Sequence, residues 1–386
     1  MDITSITLLT LILLLIIIGL FEYYFHSKAI ANIPIRIHVN GTRGKSSVAR
    51  LIAEGLRGGG LRTFAKTTGT TPRIINEEGK DVELYRLRSA SIGEQIKLIR
   101  YFSKKNPDAV VMECMAVNPQ YQWVSEHKIV RSTLGVITNV RPDHLDEMGT
   151  TNKDIAYSLS NTIPFNSKVI TSEKENMLFL DEVAQKRNTA IFESNINDLE
   201  PEYVDSFPYI EHPDNIALAL KVCEEAGVDK SLALKGMLET VPDPGALFIW
   251  NIYSNNNKSI FISGFAANDP SSTKIVWNLV SSKYKKMKSC VFLNTRDDRI
   301  YRTVQLLELL FNDIKPDFAI IRADNISHQI SKYKIDQEKI ALFDMESKQE
   351  QIVDKILELD NYFNLGIGNM VGWGEKFIEQ IKEHSK

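Results

Sequence analysis

Residues 40–47 read NGTRGKSS and lie between an alternating apolar run at 33–39 and a helical pattern at 46–56. Strand, glycine-bearing loop, lysine, hydroxyl and helix, in that order, leave few architectures open. The chain must turn sharply from strand to helix while aiming successive backbone N–H groups at one point, which two glycines permit. Such a turn cradles a phosphate chain. Gly41 and Gly44 shape the loop, Lys45 brings a positive point charge, Ser46 offers a hydroxyl to Mg²⁺, and the helix start favours an anion. With Asn40, Thr42, Arg43 and Ser47, these are the expected ATP-binding residues of the loop. The usual eight-residue form has glycine where this chain has Val39. Taken alone, the stretch also fits a glycine turn capped by serine.

A second constraint lies at the start. Residues 3–21 carry no charge and are mostly Leu and Ile. As a helix they span roughly 28 Å, close to the ~30 Å hydrocarbon core of a bilayer. Glu22, Tyr23, Tyr24 and His26 then form a polar, aromatic exit. A cleaved secretory signal is the rival, and residues 29–31 imitate its cleavage site. However, Asp2 stands where a basic residue is usual, and the apolar run exceeds the typical length. The expectation is one transmembrane helix over residues 3–24, retained as a single-pass anchor in the cell membrane. Lys28 and Arg36 follow the run, so the bulk of the chain is expected in the cytoplasm, where ATP is available.

Beyond the anchor, buried-strand patterns (107–112, 132–137) alternate with helical ones (92–102, 153–163, 215–227, 230–240), as in βαβ units. A turn-rich break at 241–245 precedes a second series of short strands and helices ending at residue 383. The expected fold is α/β throughout. A P-loop-type domain with a mostly parallel sheet occupies 33–240, and a smaller Rossmann-like domain occupies 245–386. The length of 386 residues with 43% apolar content supports that many cores. A net charge of −3 gives no global basic field, so nucleic acid is not an expected partner. Cys114, Cys223 and Cys290 are too scattered for a disulfide framework or zinc site and read as core residues in a reducing compartment.

Two more clusters fall at expected strand ends, where ligands gather in parallel sheets. Glu113 closes the strand before it, and a carboxylate there suits Mg²⁺. Asp143, His144 and Asp146 follow the strand ending at Asn139, and an imidazole in such a polar loop is a candidate second metal ligand. Each alone also reads as an ordinary cap or solvated residue. A triphosphate cradle, a carboxylate and an imidazole on one edge are more telling together.

These residues, 41–47 with Glu113 and 138–146, resemble the Mur ligase superfamily, which includes folylpolyglutamate synthases. More closely, the chain resembles the ATP-dependent ligase subunits of poly-γ-glutamate (capsule) synthases. The longer strings Lys66-Thr-Thr-Gly-Thr70, Glu113-Cys-Met-Ala-Val-Asn-Pro119, Pro242-Asp-Pro-Gly-Ala246 and Gly264-Phe-Ala-Ala-Asn-Asp269 carry the closer likeness. The resemblance runs from about residue 8 to 381. It implies an amide ligase that uses ATP and Mg²⁺ to turn a glutamate γ-carboxylate into an acyl phosphate, which a second glutamate amine then attacks. It also implies catalytic roles for Lys45, Glu113 and His144, metal ligation by Ser46, Glu113 and His144, and an adenine contact by Asn215. Small integral membrane partners for synthesis and export are implied too, and self-association stays open.

Four departures limit the transfer. The helix after the 143–146 loop has no lysine where Mur enzymes carry a modified one. Ala246 replaces an arginine, and Gly264 and Ala267 replace an aspartate and a histidine, leaving Asn268 or Asp269 as candidate substitutes. The apolar helix stands in place of the nucleotide-sugar domain, which disfavours a UDP-linked cell-wall precursor. Arg296, Arg299 and Arg302 are candidates for a polyanionic chain or a phosphate, and Arg73 is a similar candidate in the first domain. Two other readings compete. One is a folylpolyglutamate-type ligase acting on a small acceptor. The other is a membrane-anchored nucleotide switch or scaffold, suggested by Asp146–Gly149 (DxxG) and Asn152-Lys153 but lacking the aspartate that would complete NKxD.

Overall fold

The structure is a computed structural model describing residues 3–69, 72–85, 91–207, 209–242, 247–254, 257–265, 267, 269–296, 300–324, 330–333 and 336–385. The chain divides into two compact units: Met1–Phe207 with Glu211–Asp243, and Pro208–Ile210 with Pro244–Lys386.

The first unit is built on an eight-stranded sheet. In chain order its strands are β1 (Ile35–Asn40), β2 (Thr63–Thr67), β3 (Arg73–Ile75), β4 (Asp81–Glu83), β5 (Ala109–Glu113), β6 (Leu134–Ile137), β7 (Lys168–Thr171) and β8 (Ala190–Glu193). Across the sheet they run β4-β3-β2-β5-β1-β6-β7-β8. β1 sits between β5 and β6, parallel to both, with Val39 opposite Glu113 and Asn40 opposite Ile137. Only β3 runs against the others, antiparallel to both β2 and β4, in a meander on one edge. Strands buried on both faces read as unbroken apolar runs, as residues 109–112 do. The register brings the carboxyl ends of β1, β5 and β6 together, so the loops after residues 40, 113 and 137 share one edge.

Helix α1 (Ile3–Ala31) is a single 29-residue helix, about 43 Å long at 1.5 Å per residue. Its apolar window has a mean hydropathy of 2.8 and is wholly exposed, long and apolar enough to cross a membrane. The helix does not stop at residue 24. Its last turns bury His26, Ala29 and Ile30, and the two apolar residues join Ile33, Leu98, Phe102 and Ile129 in one core cluster. Helix α2 (Lys45–Gly58) follows the loop and buries Val48, Leu51, Ile52 and Leu56, residues spaced three to four apart on one face.

The second unit has seven strands: β9 (Tyr209–Ile210), β10 (Leu247–Ser254), β11 (Asn257–Ser263), β12 (Lys288–Asn294), β13 (Phe318–Arg322), β14 (Ile340–Phe343) and β15 (Tyr362–Gly368). Their order is β14-β13-β12-β15-β11-β10-β9. The first five in that order pair in parallel, and β10 alone is reversed, antiparallel to both β11 and β9. Two apolar clusters cover its faces, one around Leu293 and Leu307, the other around Phe292 and Phe377.

Candidate active site

Gly41 (φ 129°) and Gly44 (φ 81°) both adopt backbone conformations that side chains disfavour. A Cβ on Gly41 would lie 2.0 Å from Thr138 Oγ1 and 2.8 Å from Thr138 N. One on Gly44 would lie 2.7 Å from Asn215 Oδ1. The loop therefore passes between the end of β6 and the start of helix Pro213–Glu225 with no room for a side chain. The end of β6 fixes it further. Thr42 Oγ1 donates to Asn139 Oδ1 (2.7 Å) and the Arg43 N–H to the same oxygen (3.1 Å). The Arg43 carbonyl in turn accepts from Thr138 Oγ1 (2.6 Å) and Asn139 Nδ2 (3.1 Å).

Lys45 folds over this loop, its ammonium donating to the carbonyls of Gly41 (2.8 Å) and Thr42 (3.2 Å). Ser46 Oγ donates to Glu113 Oε2 at 2.8 Å, and the Thr68 N–H donates to the same oxygen at 2.6 Å. Glu113 is 2% exposed. Both donors engage Oε2, which aims the carboxylate and leaves Oε1 outside these two bonds. Hydroxyl and carboxylate oxygens side by side are the hard donors Mg²⁺ takes, with water and phosphate oxygens completing the shell. Among the described residues, no group of three or more His, Cys, Asp or Glu could hold a metal by itself.

Asn215 Nδ2 donates to Glu211 Oε1 (2.7 Å), which also accepts the His212 N–H (3.0 Å). Burial pushes the Glu211 carboxyl above the usual range; hydrogen bonds from Asn215, His212 and Ser47 partly offset this. Asn215 is thus held against Gly44, and Ser47 is tied to the same carboxylate. His144 stands in the left-handed region (φ 45°) in the loop after β6. Its ring is 54% exposed, with Nε2 3.9 Å from Asp143 Oδ1. Asp143 also pairs with Arg43 at 3.5 Å, and the Arg141 N–H donates to Thr42 Oγ1 at 3.0 Å, so this loop is laced to the phosphate loop. Together with Met115, Asn118 and Tyr121, His144 lines a hollow of about 600 Å³ beyond the Glu113 strand end.

Other expected residues lie elsewhere. The Asn40 side chain points into the fold, donating to Gln122 Oε1 (2.9 Å) and Thr162 Oγ1 (3.2 Å). What Asn40 gives the loop is its carbonyl, which accepts the Thr138 N–H at 2.9 Å. Arg73 sits on the edge hairpin, 3.8 Å from Asp81, which also pairs with the buried Arg50 at 2.9 Å. In the second unit, Asp269 caps helix Pro270–Lys283, accepting the Ser272 N–H at 3.0 Å. Arg296 and Arg302 line a small hollow with Asn294 and Asn369 at the carboxyl ends of β12 and β15. Asn268 and Arg299 lie outside the described residues.

Comparison with known proteins shows the family. The Mur ligase middle domain family matches residues 39–226, and the poly-gamma-glutamate synthase CapB C-terminal domain family matches residues 249–384. The chain is 35% identical to the "PGA synthase CapB" of Bacillus subtilis over 96% of each chain. It is also 35% identical to the "Capsule biosynthesis protein CapB" of Bacillus anthracis, over 96% of this chain and 81% of that one. The chain belongs to the CapB family of poly-γ-glutamate synthases. It is accordingly an amide ligase of Mur type. The fold is shared with E. coli FolC in complex with DHPP and ADP, at a TM-score of 0.67 and 15% identity over 94% of this chain and 92% of that one.

Thr68 and Glu211 are not evident from sequence reasoning alone, and Thr138 and Asn139 are read there as part of the 138–146 motif without their grip on the loop. Thr68 acts through its backbone N–H, which no side-chain pattern reveals, although the string 66–70 already stood out. Thr138 and Asn139 mark a strand end, and only the register shows that they grip the loop. Glu211 precedes the helix that presents Asn215, and its burial is a tertiary fact.

Proposed function

We propose that this CapB-family chain activates a glutamate γ-carboxylate with ATP and joins it to the amine of another glutamate, extending poly-γ-glutamate at the cytoplasmic face of a membrane that α1 spans once. The Ser46–Glu113 pair, 2.8 Å apart and one residue from Lys45, carries this reading. In the first step, a γ-carboxylate oxygen attacks the γ-phosphorus of ATP and ADP leaves. In the second, the amine attacks the acyl carbon, inorganic phosphate leaves and the amine loses a proton. The carboxylate and triphosphate repel each other, so neutralising charge along the transfer line is the main task. Lys45 would turn from the loop carbonyls to the β- and γ-phosphates, and the N–H groups of 41–47 would hold the phosphate chain. A divalent cation held by Ser46 and Glu113 supplies Lewis-acid neutralisation of phosphate oxygens. His144 would steady the attacked phosphate or a second cation, and Asn215 would meet the adenine.

Arg73, Arg296, Arg299 and Arg302 stay in the proposal as contacts for the acidic substrates, and Asn268 or Asp269 as a contact for the nucleotide. Small integral membrane subunits for synthesis and export, and assembly of several copies, belong to the same reading. The folate-type alternative draws support from fold likeness alone. The test is ADP release by full-length protein supplied with glutamate, folates or other acids, with γ-linked polymer measured in parallel. Glutamate-dependent ADP and polymer are expected, and Lys45→Ala should abolish both while the chain stays folded and in the membrane. Polymer made by Lys45→Ala at the wild-type rate would refute the assignment.

A further inference from the structure

The apolar run ends at Phe21, and residues 22–31 continue the same helix along the side of the first unit. Their contacts show which part of the unit lies level with the end of the run. Arg100 stands 2.7 Å from the Glu22 carboxylate and donates to the Glu22 carbonyl at 2.8 Å. The Arg131 guanidinium lies 5.5 Å over the Tyr23 ring. His26 Nε2 is 2.9 Å from the Ile129 carbonyl. Two arginines thus stand one and two residues beyond the last apolar position, the depth of lipid phosphates if α1 enters a bilayer.

Arg131 also lines a hollow of about 830 Å³ at the amino-terminal ends of β1, β6 and β7, the opposite edge of the sheet from the phosphate loop. Its lining combines Arg36, Lys128, Arg131 and Lys168 with the aromatic faces of Trp123 and Phe165. A π-helical turn, Ser125–Val130, places two of them, closing on Arg131 in the left-handed region (φ 47°). The Arg131 carbonyl accepts Arg36 Nε at 2.9 Å, bringing the two residues together. Both carboxylates of the lining already have partners: Glu126 is 2.7 Å from His38 Nδ1, and Glu225 is 2.8 Å from Lys168 and 2.9 Å from Lys221. Lys128 lies 5.3 Å over the Trp123 ring.

Arg36 is taken up by the carbonyls of Ile30, Ile33 and Arg131 and Lys168 by Glu225, which leaves Arg131 and Lys128 to meet a ligand. A guanidinium and an ammonium suit a phosphodiester, and aromatic rings at an interface suit the glycerol and first methylenes behind it. The volume falls in the range of small-ligand pockets. We propose that this hollow binds the headgroup of an anionic phospholipid from the leaflet that α1 enters, clamping the ligase to the bilayer beside its anchor. This rests on the membrane reading of α1.

Full-length protein in nanodiscs of phosphatidylcholine, with or without phosphatidylglycerol, tests it by native mass spectrometry and hydrogen exchange. Phosphatidylglycerol should be retained selectively, and exchange in residues 125–134 should slow when it is present. Lys128→Gln should weaken retention roughly five-fold and Lys128→Gln with Arg131→Gln roughly thirty-fold, with ATP turnover in detergent unchanged. Arg131→Lys, which keeps the charge but loses the fork, should fall between wild type and the double variant. Equal retention of both lipids, indifference to these substitutions, or the same protection from inorganic phosphate in detergent would each overturn the proposal. A chain that alkaline carbonate strips from membranes overturns the anchor, and the lipid site with it. One that stays embedded yet shows no anionic preference overturns the lipid site alone.

Discussion

Glu113→Gln removes a charge while keeping a shape, and the hydrogen bonds around Glu113 determine what that costs. Both donors, the Thr68 N–H at 2.6 Å and the Ser46 hydroxyl at 2.8 Å, engage Oε2. A glutamine carbonyl in that position keeps both bonds, and the new NH₂ falls where Oε1 stood. Charge-assisted bonds are about twice as strong as neutral ones, so the two together lose about 1–2 kcal/mol of stability. Cation binding suffers more, because a donor replaces the acceptor that would face the metal. We expect kcat/KM to fall at least about 100-fold, or about 2.7 kcal/mol at 1.36 kcal/mol per decade, with the Mg²⁺ requirement moving to higher concentration. Glu113→Ala should differ in kind. It leaves two half-buried donors without this acceptor, at about 1 kcal/mol each, so stability falls along with activity. The assay is ADP release across a Mg²⁺ titration, with thermal unfolding of the same samples. Turnover by Glu113→Gln within about three-fold of wild type at limiting Mg²⁺ would show that this carboxylate holds no metal.

Gly41→Ala should destabilise the first unit by about 2 kcal/mol or more, since its backbone conformation is disfavoured and the added Cβ meets Thr138 N at 2.8 Å. Nucleotide binding should vanish with it, and ADP affinity by calorimetry unchanged from wild type would refute the tight passage. Glu211 has its carboxyl raised by burial, so the folded state favours the protonated form. The resulting cost is absent below about pH 4.5 and present in full above the raised value. Glu211→Gln should therefore be more stable than wild type at neutral pH, with the gain disappearing in acid; urea unfolding at several pH values checks this, and a pH-independent difference would count against it. For His38, burial favours the neutral ring, but Cys114 and Glu126 outweigh it and raise the imidazole to about 10. Its stabilisation is full below about 6.5 and lost as pH rises through about 10. Glu126→Gln should thus cost about 3–5 kcal/mol near neutrality and progressively less in alkali, and a constant deficit in urea titrations would contradict the pair.

The parts of the site that depend on local order were legible in the sequence. The strand, loop and helix around Lys45 can be read from two glycines and two periodicities, and Glu113 from its place after an apolar run. Partners that depend on register were not. Asn139 grips the loop because β6 lies beside β1, and Thr68 reaches Glu113 because β2 lies beside β5; neither adjacency is written in the residues themselves. The direction of Asn40 was hidden for a similar reason, since Gln122 arrives from a distant helix and Thr162 from the turn that follows another. β9 is two residues long, too short for any pattern, yet it joins the sheet of the second unit ahead of β10. The continuation of α1 to Ala31 went unread because residues 22–31 mix charge with apolar positions, as a helix half covered by protein does.

β1 is only six residues long, roughly 20 Å at 3.3 Å per residue. One end receives the chain from α1 and the other delivers it to the phosphate loop. If α1 enters a bilayer, the phosphate loop stands a full strand length away from the point where the chain leaves the lipids, so a nucleotide bound there is held off the headgroups by the height of the sheet.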